Sequence, residues 1–500
     1  MTVDASMSAR TGEVLEELPV SSSDEVAAVL SRAAAAAPAV AALPPAVRRD
    51  WLKAVADALG DEPTAARLVA AADHETGLGE VRLTGELARC AGQLRFYGDV
   101  AAEGSWLEVT IDHAAGAAPD LRRMQVPLGP VAVLGASNFP FGFGVLGNDT
   151  GSAIAAGCPV VVKAHPAHPR TSRLLAEVAT AALAAAGAPD GTFALVSGFA
   201  AGTTVVQAPE ISALAFTGSQ RGGLALWEQA NRRAVPIPVY AEMGTINPAV
   251  LTVEGTERLD EVATGFVGSF TLGMGQFCTK PGLLLAPAGH DVPNRVASAL
   301  TEAAPTGWLL TGPIATAYSA GVDELVAAGG RVLATAPAAD GGWTATATVL
   351  EVAAADLAAG SRLLEECFGP VALVAEYADR AELDRILDDL QGALAASVQS
   401  GGPDDPDLPG LVATLSARVG RVMVDDWPTG VAFTWAQQHG GPWPATTAPS
   451  ATSVGAAALG RFTRPVTWQS VPSAALPEAL RDDNSWRVPR RIDGVSGGAS

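Results

Sequence analysis

The 500-residue chain holds only four cysteines, Cys90, Cys158, Cys278 and Cys367, with no CxxC pair. So sparse and scattered a set excludes a disulfide framework and fits a reducing compartment. The six histidines form no HExxH and keep no zinc-like spacing, so no metal site is expected. No uninterrupted apolar run reaches the roughly 20 residues that cross a bilayer. The opening Met1-Thr2-Val3-Asp4 lacks the basic and apolar regions of a signal peptide. The Ala-rich stretch from Val26 to Leu43 contains Arg32 and Pro38 and reads as a surface helix. Basic charge is also short: Lys and Arg number 32 against 53 Asp and Glu, a net charge of -21. That balance argues against a nucleic-acid partner or an anionic membrane surface. The acids are dispersed, which reads as simple solubility, and the expected location is the cytoplasm.

What is present is a globular composition, 48% hydrophobic and 17% charged, in a chain long enough for two or three domains. The first hundred residues read as helices: Ser22 and Glu25 fit a capping box, and Val26, Val29, Leu30 and Ala33 make an apolar stripe. Leu52, Val55 and Leu59 make a second stripe. Between Trp106 and Val126, strand-like alternation around a Gly/Pro/Asp turn predicts a hairpin. From Val131 the texture changes. Val131–Leu134, Val160–Val162, Phe193–Val196, Ala213–Phe216 and Val239–Ala241 alternate with Ala- and Leu-rich helices, the rhythm of βαβ units on a parallel sheet. A second set, Ala249–Val253, Leu283–Leu285, Val371–Ala375, Leu394–Val398 and Val422–Val424, predicts another α/β domain beginning near Gly244. After Arg461 the prolines at 465, 472 and 477 make the chain look irregular, ending in a polar Gly/Ser tail.

Cys278 lies in Gly275-Gln276-Phe277-Cys278-Thr279-Lys280-Pro281, a setting for a loop or a helix start; a helix N-terminus would favour the thiolate nucleophile. Cys90, Cys158 and Cys367 read as packing residues. Glu242 closes an apolar strand ahead of Met243-Gly244, where burial would raise its pKa and make it a usable base. Asn138, in Ser137-Asn138-Phe139-Pro140 after a strand, can donate its amide to developing negative charge. Gly142-Phe143-Gly144-Val145-Leu146-Gly147 fits GxGxxG, but it starts well past the strand and no acid ends the next one, so it is rejected as a dinucleotide fingerprint. Phe216-Thr217-Gly218-Ser219, a strand running into a Gly-rich helix start, is the better site for a pyrophosphate.

In this order, Asn138, Lys163 after Val160-Val161-Val162, Gly218-Ser219, Glu242-Met243-Gly244, Cys278 and Glu366-Cys367-Phe368-Gly369-Pro370 resemble the aldehyde dehydrogenase superfamily. The resemblance implies two Rossmann-like α/β domains with parallel-rich sheets and a small β oligomerisation element. Residues 1–101 and 129–243 would bind the cofactor, 244–460 would be catalytic, and 102–128 with 461–500 would pair between subunits of a homodimer or homotetramer. It implies oxidation of a small-molecule aldehyde to an acid through a cysteine thiohemiacetal and thioester. Cys278 would be the nucleophile, Asn138 the oxyanion donor and Glu242 the base that activates water. Lys163 would bind the adenine ribose, Glu366 the nicotinamide ribose and Phe368 its ring, with Ala136, Ser137, Gly198, Gly218, Ser219 and Gly244 lining the cofactor site.

Where NAD-preferring relatives often carry an acid, this chain has Pro166, and His165, His168 and Arg170 follow the same strand. NADP is therefore favoured over NAD. The motifs Lys163-Ala164-His165-Pro166-Ala167-His168-Pro169 and His439-Gly440-Gly441-Pro442-Trp443-Pro444 resemble the branch containing α-ketoglutaric semialdehyde (2,5-dioxovalerate) and bacterial fatty aldehyde dehydrogenases. The expected reaction is α-ketoglutaric semialdehyde to 2-oxoglutarate. Medium- or long-chain aldehydes are the alternative, followed by a CoA-acylating enzyme or a non-enzymatic binding protein. Which arginine grips a substrate carboxylate stays open, with Arg170 and Arg221 as candidates.

Overall fold

The computed structural model describes residues 3–497; Met1, Thr2 and the last three residues of the Gly/Ser tail lie outside them. The β-branched runs form buried parallel strands, as uninterrupted apolar runs covered on both faces must. Five of them build one sheet in the order Phe193–Val196, Val160–Lys163, Val131–Leu134, Ala213–Gly218, Val239–Met243. The second sheet has seven strands ordered Arg331–Thr335, Thr348–Glu351, Val371–Tyr377, Leu283–Pro287, Pro248–Leu251, Ala393–Gln399, Val419–Val424. All its pairings are parallel except that of the edge strand Arg331–Thr335. Helices cover both faces of each sheet, leaving separate apolar layers on either side.

The helix Ser23–Ala42 starts at the expected capping box: the Ser22 hydroxyl accepts from Glu25 N–H at 3.3 Å, and the Glu25 carboxylate accepts from Ser22 N–H at 2.7 Å. It is long and apolar enough to cross a membrane by composition, yet Val26, Val29, Leu30 and Ala33 are packed in the protein core.

Two regions differ from the sequence reading. The chain does not begin with helices: Val3–Met7 and Val14–Pro19 form a hairpin, the second strand largely exposed and so without a strong apolar signal. The stretch after Arg461 is not irregular. Thr463–Gln469 pairs antiparallel with Leu121–Pro127, which pairs with Val109–Asp112, the expected hairpin. Arg490–Ile492 and Val495–Gly497 complete that sheet on its other side. Pro465 is tolerated because its strand lies on the sheet edge, where one side needs no N–H donor.

Candidate active site

The site lies where the carboxyl ends of the five-stranded sheet face the loops of the second sheet, the crevice in which open α/β sheets bind ligands. Asn138 follows Val131–Leu134, Lys163 ends Val160–Lys163, Gly218 ends Ala213–Gly218, and Glu242 sits in Val239–Met243. Cys278 comes from the other side, between the helix Leu259–Thr271 and the strand Leu283–Pro287.

No α-helix starts at Cys278, so the expected dipole assistance is absent. Burial, then the negative charges of Glu242 and Glu366, push its thiol well above the usual range, which favours the S–H form. Its loop is instead fixed by contacts. Gly273, Met274 and Gly275 all have left-handed backbone, and a Cβ on Gly275 would fall 2.1 Å from Gly369 O. Buried Asn247 donates to Cys278 O at 2.8 Å and Lys280 O at 3.1 Å. The Lys280 ammonium, 2% exposed, donates to Cys367 O, Gly369 O and Val371 O at 2.8, 3.1 and 2.8 Å. It thereby ties the nucleophile loop to the turn carrying Glu366. Lys280→Met would leave three buried carbonyls unpaired and should destabilise the protein by about 3 kcal/mol, read as a lower denaturant midpoint at unchanged m-value.

Asn138 is buried, and its Nδ2 donates to Gln276 O at 2.8 Å, binding it to the Cys278 loop. The second N–H of the amide is left to point elsewhere. Glu242 corrects a second expectation. Burial does raise its pKa, but the His439 ring and the Ser453 hydroxyl outweigh it, and the carboxyl is held below its usual value. His439 Nε2 lies 3.1 Å from Glu242 Oε1 and 3.7 Å from Cys278 Sγ. Ser453 donates to the other carboxylate oxygen. Tertiary pairing brings this segment in: Met243 N–H donates to Ala445 O and Thr447 N–H to Ala241 O, so residues 445–447 run alongside the Glu242 strand. In the sequence His439 stands only in a branch motif. Nothing in its local sequence marks it, because its partners are distant in the chain.

The cofactor candidates lie around the same crevice. The Ser219 hydroxyl caps the helix Gln220–Asn231, accepting from Gly222 N–H, and Gly244 N–H donates to Gly218 O at 3.1 Å. A Cβ on Gly244 would fall 2.2 Å from the Glu366 carboxylate, which would have to swing aside. Glu366 Oε1 is buried without a partner, an acceptor that suits a ribose hydroxyl. Phe368 is half-buried in the same turn, and half-buried Lys163 has no hydrogen-bond partner among the described residues. Gly198, at a φ of 96°, opens the helix Phe199–Gln207. Ser137 is half-buried, whereas Ala136 faces the protein: its carbonyl accepts from the buried His168 ring at 3.3 Å. These groups fit a nicotinamide dinucleotide.

The expected cationic contribution of His165, His168 and Arg170 is not found. Burial lowers both imidazoles, keeping them neutral, and Arg170 faces Glu16 at 3.5 Å. Arg221 is exposed on the helix Gln220–Asn231.

Burial raises Glu366 to about 7. Between the ordinary carboxylate range and that value, the folded chain keeps a proton that the unfolded chain has lost, so stability falls as pH rises through the window. Without cofactor, Glu366→Gln should match the parent near pH 4 and be more stable at pH 8 by on the order of 2 kcal/mol. Equal denaturation midpoints at pH 8 would refute this.

The sequence pattern of the aldehyde dehydrogenase family matches residues 3–442, and the chain belongs to that family. It is an NAD(P)-dependent dehydrogenase that oxidises an aldehyde to a carboxylic acid. Among its relatives, it is 44% identical over 467 residues to alpha-ketoglutaric semialdehyde dehydrogenase 2 of Azospirillum brasilense, covering 91% of this chain and 88% of that one. It is 38% identical to alpha-ketoglutaric semialdehyde dehydrogenase of Acinetobacter baylyi, over 90% and 87% of the two chains. Its fold is that of a solved putative aldehyde dehydrogenase from Burkholderia cenocepacia, with a TM-score of 0.80, 21% identity and coverage of 93% and 96%.

Proposed function

We propose that the chain oxidises α-ketoglutaric semialdehyde to 2-oxoglutarate with Cys278, Glu242 and Asn138 as its catalytic groups. The observation that carries the chemistry is the convergence of Cys278 Sγ, a Glu242 oxygen and a His439 ring nitrogen within 4.8 Å of one another. The substrate assignment is supported by the two relatives of that name.

The Cys278 thiol adds to the aldehyde carbon, and its proton passes to solvent water. Asn138 Nδ2 and the Cys278 backbone N–H stabilise the oxygen of the thiohemiacetal. NAD(P), when bound, would supply the two-electron acceptor for the hydride at that carbon, and Cys278 would then carry the acyl group as a thioester. The Glu242 carboxylate then takes a proton from water, the hydroxide adds to the thioester carbonyl, and the C–S bond breaks as the Cys278 sulfur takes the proton back from Glu242 and the acid is released. Glu242 is dispensable if CoA is the acyl acceptor, so the buried Glu242–His439–Ser453 network supports hydrolysis.

NADP and NAD are both accommodated at Lys163, and Pro166 leaves no acid to oppose a 2′-phosphate, so NADP is favoured. Glu366, Phe368, Ser137, Gly198, Gly218, Ser219 and Gly244 line that site. Residues 1–101 and 129–243 form the cofactor domain and 244–460 the catalytic domain. Residues 102–128 with 461–500 mediate a homodimer or homotetramer in the cytoplasm, a reading supported by exposed Val495 on the edge strand and exposed Ile492 on the strand beside it. The test is absorbance at 340 nm with NADP or NAD across an aldehyde panel. Turnover of α-ketoglutaric semialdehyde ahead of medium-chain aldehydes, without stimulation by CoA, is expected. A preference for medium-chain aldehydes would overturn the substrate assignment.

A further inference from the structure

We infer that Arg82 and Arg89, one face of the helix Glu80–Glu103, recognise the carboxylate end of the substrate. This rests on the proposed reading that the substrate is a semialdehyde bearing a carboxylate. In a chain with 53 acidic residues, most arginines find an acid. These two form no ion pair among the described residues, although neither is fully exposed. A half-buried cation without a counter-charge is costly unless something else supplies the anion.

Their placement points to the site. Arg82 Nη2 donates to Asn138 O at 2.7 Å, and its guanidinium lies 5.1 Å from the ring centres of both Phe139 and Phe277. It therefore sits between the neighbour of the oxyanion donor and the neighbour of the nucleophile. Its Nη1 is buried without a partner. Arg89 makes no hydrogen bond among the described residues and lies 5.7 Å over the Phe433 ring. Phe433 precedes His439 on the segment that reaches Glu242, so Arg89 packs against that segment. The same helix face grips that turn directly. Glu86 Oε1 accepts from Phe141 N–H and Gly142 N–H, and Gln93 Nε2 donates to Gly142 O.

Glu86 is the acid between the two arginines. One of its oxygens is committed to the two backbone amides and burial raises its pKa, so it offsets at most one positive charge. The cluster keeps an uncompensated guanidinium whose planar donors match a carboxylate. Arg421, a cation in reach of Cys278's field, holds the Gly430 and Pro428 carbonyls with Nη1 and Nη2 and serves its loop.

The test compares kcat/KM for α-ketoglutaric semialdehyde and for pentanal, an uncharged aldehyde of the same length, in the parent, Arg89→Met and Arg82→Gln. The parent should prefer the acid-bearing aldehyde. In Arg89→Met that preference should fall about 100-fold, carried mainly by KM. Arg82→Gln keeps a donor for Asn138 O and should lose preference in the same direction. Arg89→Lys, which retains charge without the fork, should recover part of it. Inhibition by 2-oxoglutarate should weaken in parallel, a readout that needs no turnover of the charged aldehyde. If the parent prefers the charged aldehyde and both charge-removing variants keep that preference, the arginine assignment is wrong and the substrate reading stands. If the parent does not distinguish the two aldehydes, the substrate reading fails and the assignment falls with it.

Discussion

Cys278→Ala should abolish aldehyde-dependent reduction of NAD(P), by more than about 10,000-fold, while cofactor binding persists. The size follows from geometry. The other three cysteines are buried elsewhere: Cys90 behind the Asn138 turn with its Sγ toward Leu146 O, Cys158 against Phe462 O, and Cys367 near the Tyr318 carbonyl. Cys90 and Cys158 are packed in one core layer and Cys367 in another, each away from the site, so none can substitute. Cofactor binding should survive because Asn247 and Lys280 hold the loop through backbone carbonyls that alanine retains. Equilibrium binding of NADPH by fluorescence, beside the 340 nm assay, checks both halves. Residual turnover above about one part in a thousand would remove Cys278 from the mechanism.

Glu242→Gln is the second large effect. The amide keeps the shape of the buried side chain and a contact to Ser453, but it cannot accept a proton from water. Steady-state turnover should fall about 1,000-fold. The change leaves Cys278 and Asn138 in place, so thiohemiacetal formation continues and one rapid burst of reduced cofactor per subunit should precede the stall. Acid quenching followed by intact-mass spectrometry should find the acyl group on Cys278. A slow first turnover without a burst would instead make Glu242 the group that deprotonates the thiol. The pH dependence carries a sign. Because Glu242 is held below its usual range and the thiol is pushed above its own, kcat/KM should climb with pH from neutral into alkaline conditions. An acidic optimum would contradict both assignments.

Much of this was legible in the sequence because it is local. Parallel strands buried on both faces require apolar runs, and those runs placed the strand ends that carry Asn138, Lys163, Gly218 and Glu242. The Ser22 capping box and the hairpin around Val109–Asp112 are short-range signals of the same kind. What escaped depends on partners far along the chain. The Val14–Pro19 strand is mostly exposed and lacks a burial pattern, and the Thr463–Gln469 strand carries a proline that only its edge position excuses. His439 and Lys280 look ordinary locally, and the arginines at 82 and 89 look like surface charges.

The sequence alone determined which chemistry is available: a thiol, a carboxylate and an amide at the ends of βα units, with glycines where backbone must come close to other groups. Protonation was decided only in three dimensions. The thiol has no helix dipole beside it, and the carboxylate is lowered by an imidazole rather than raised by burial. Charge interactions depend on distance and desolvation, and neither is written in the order of residues.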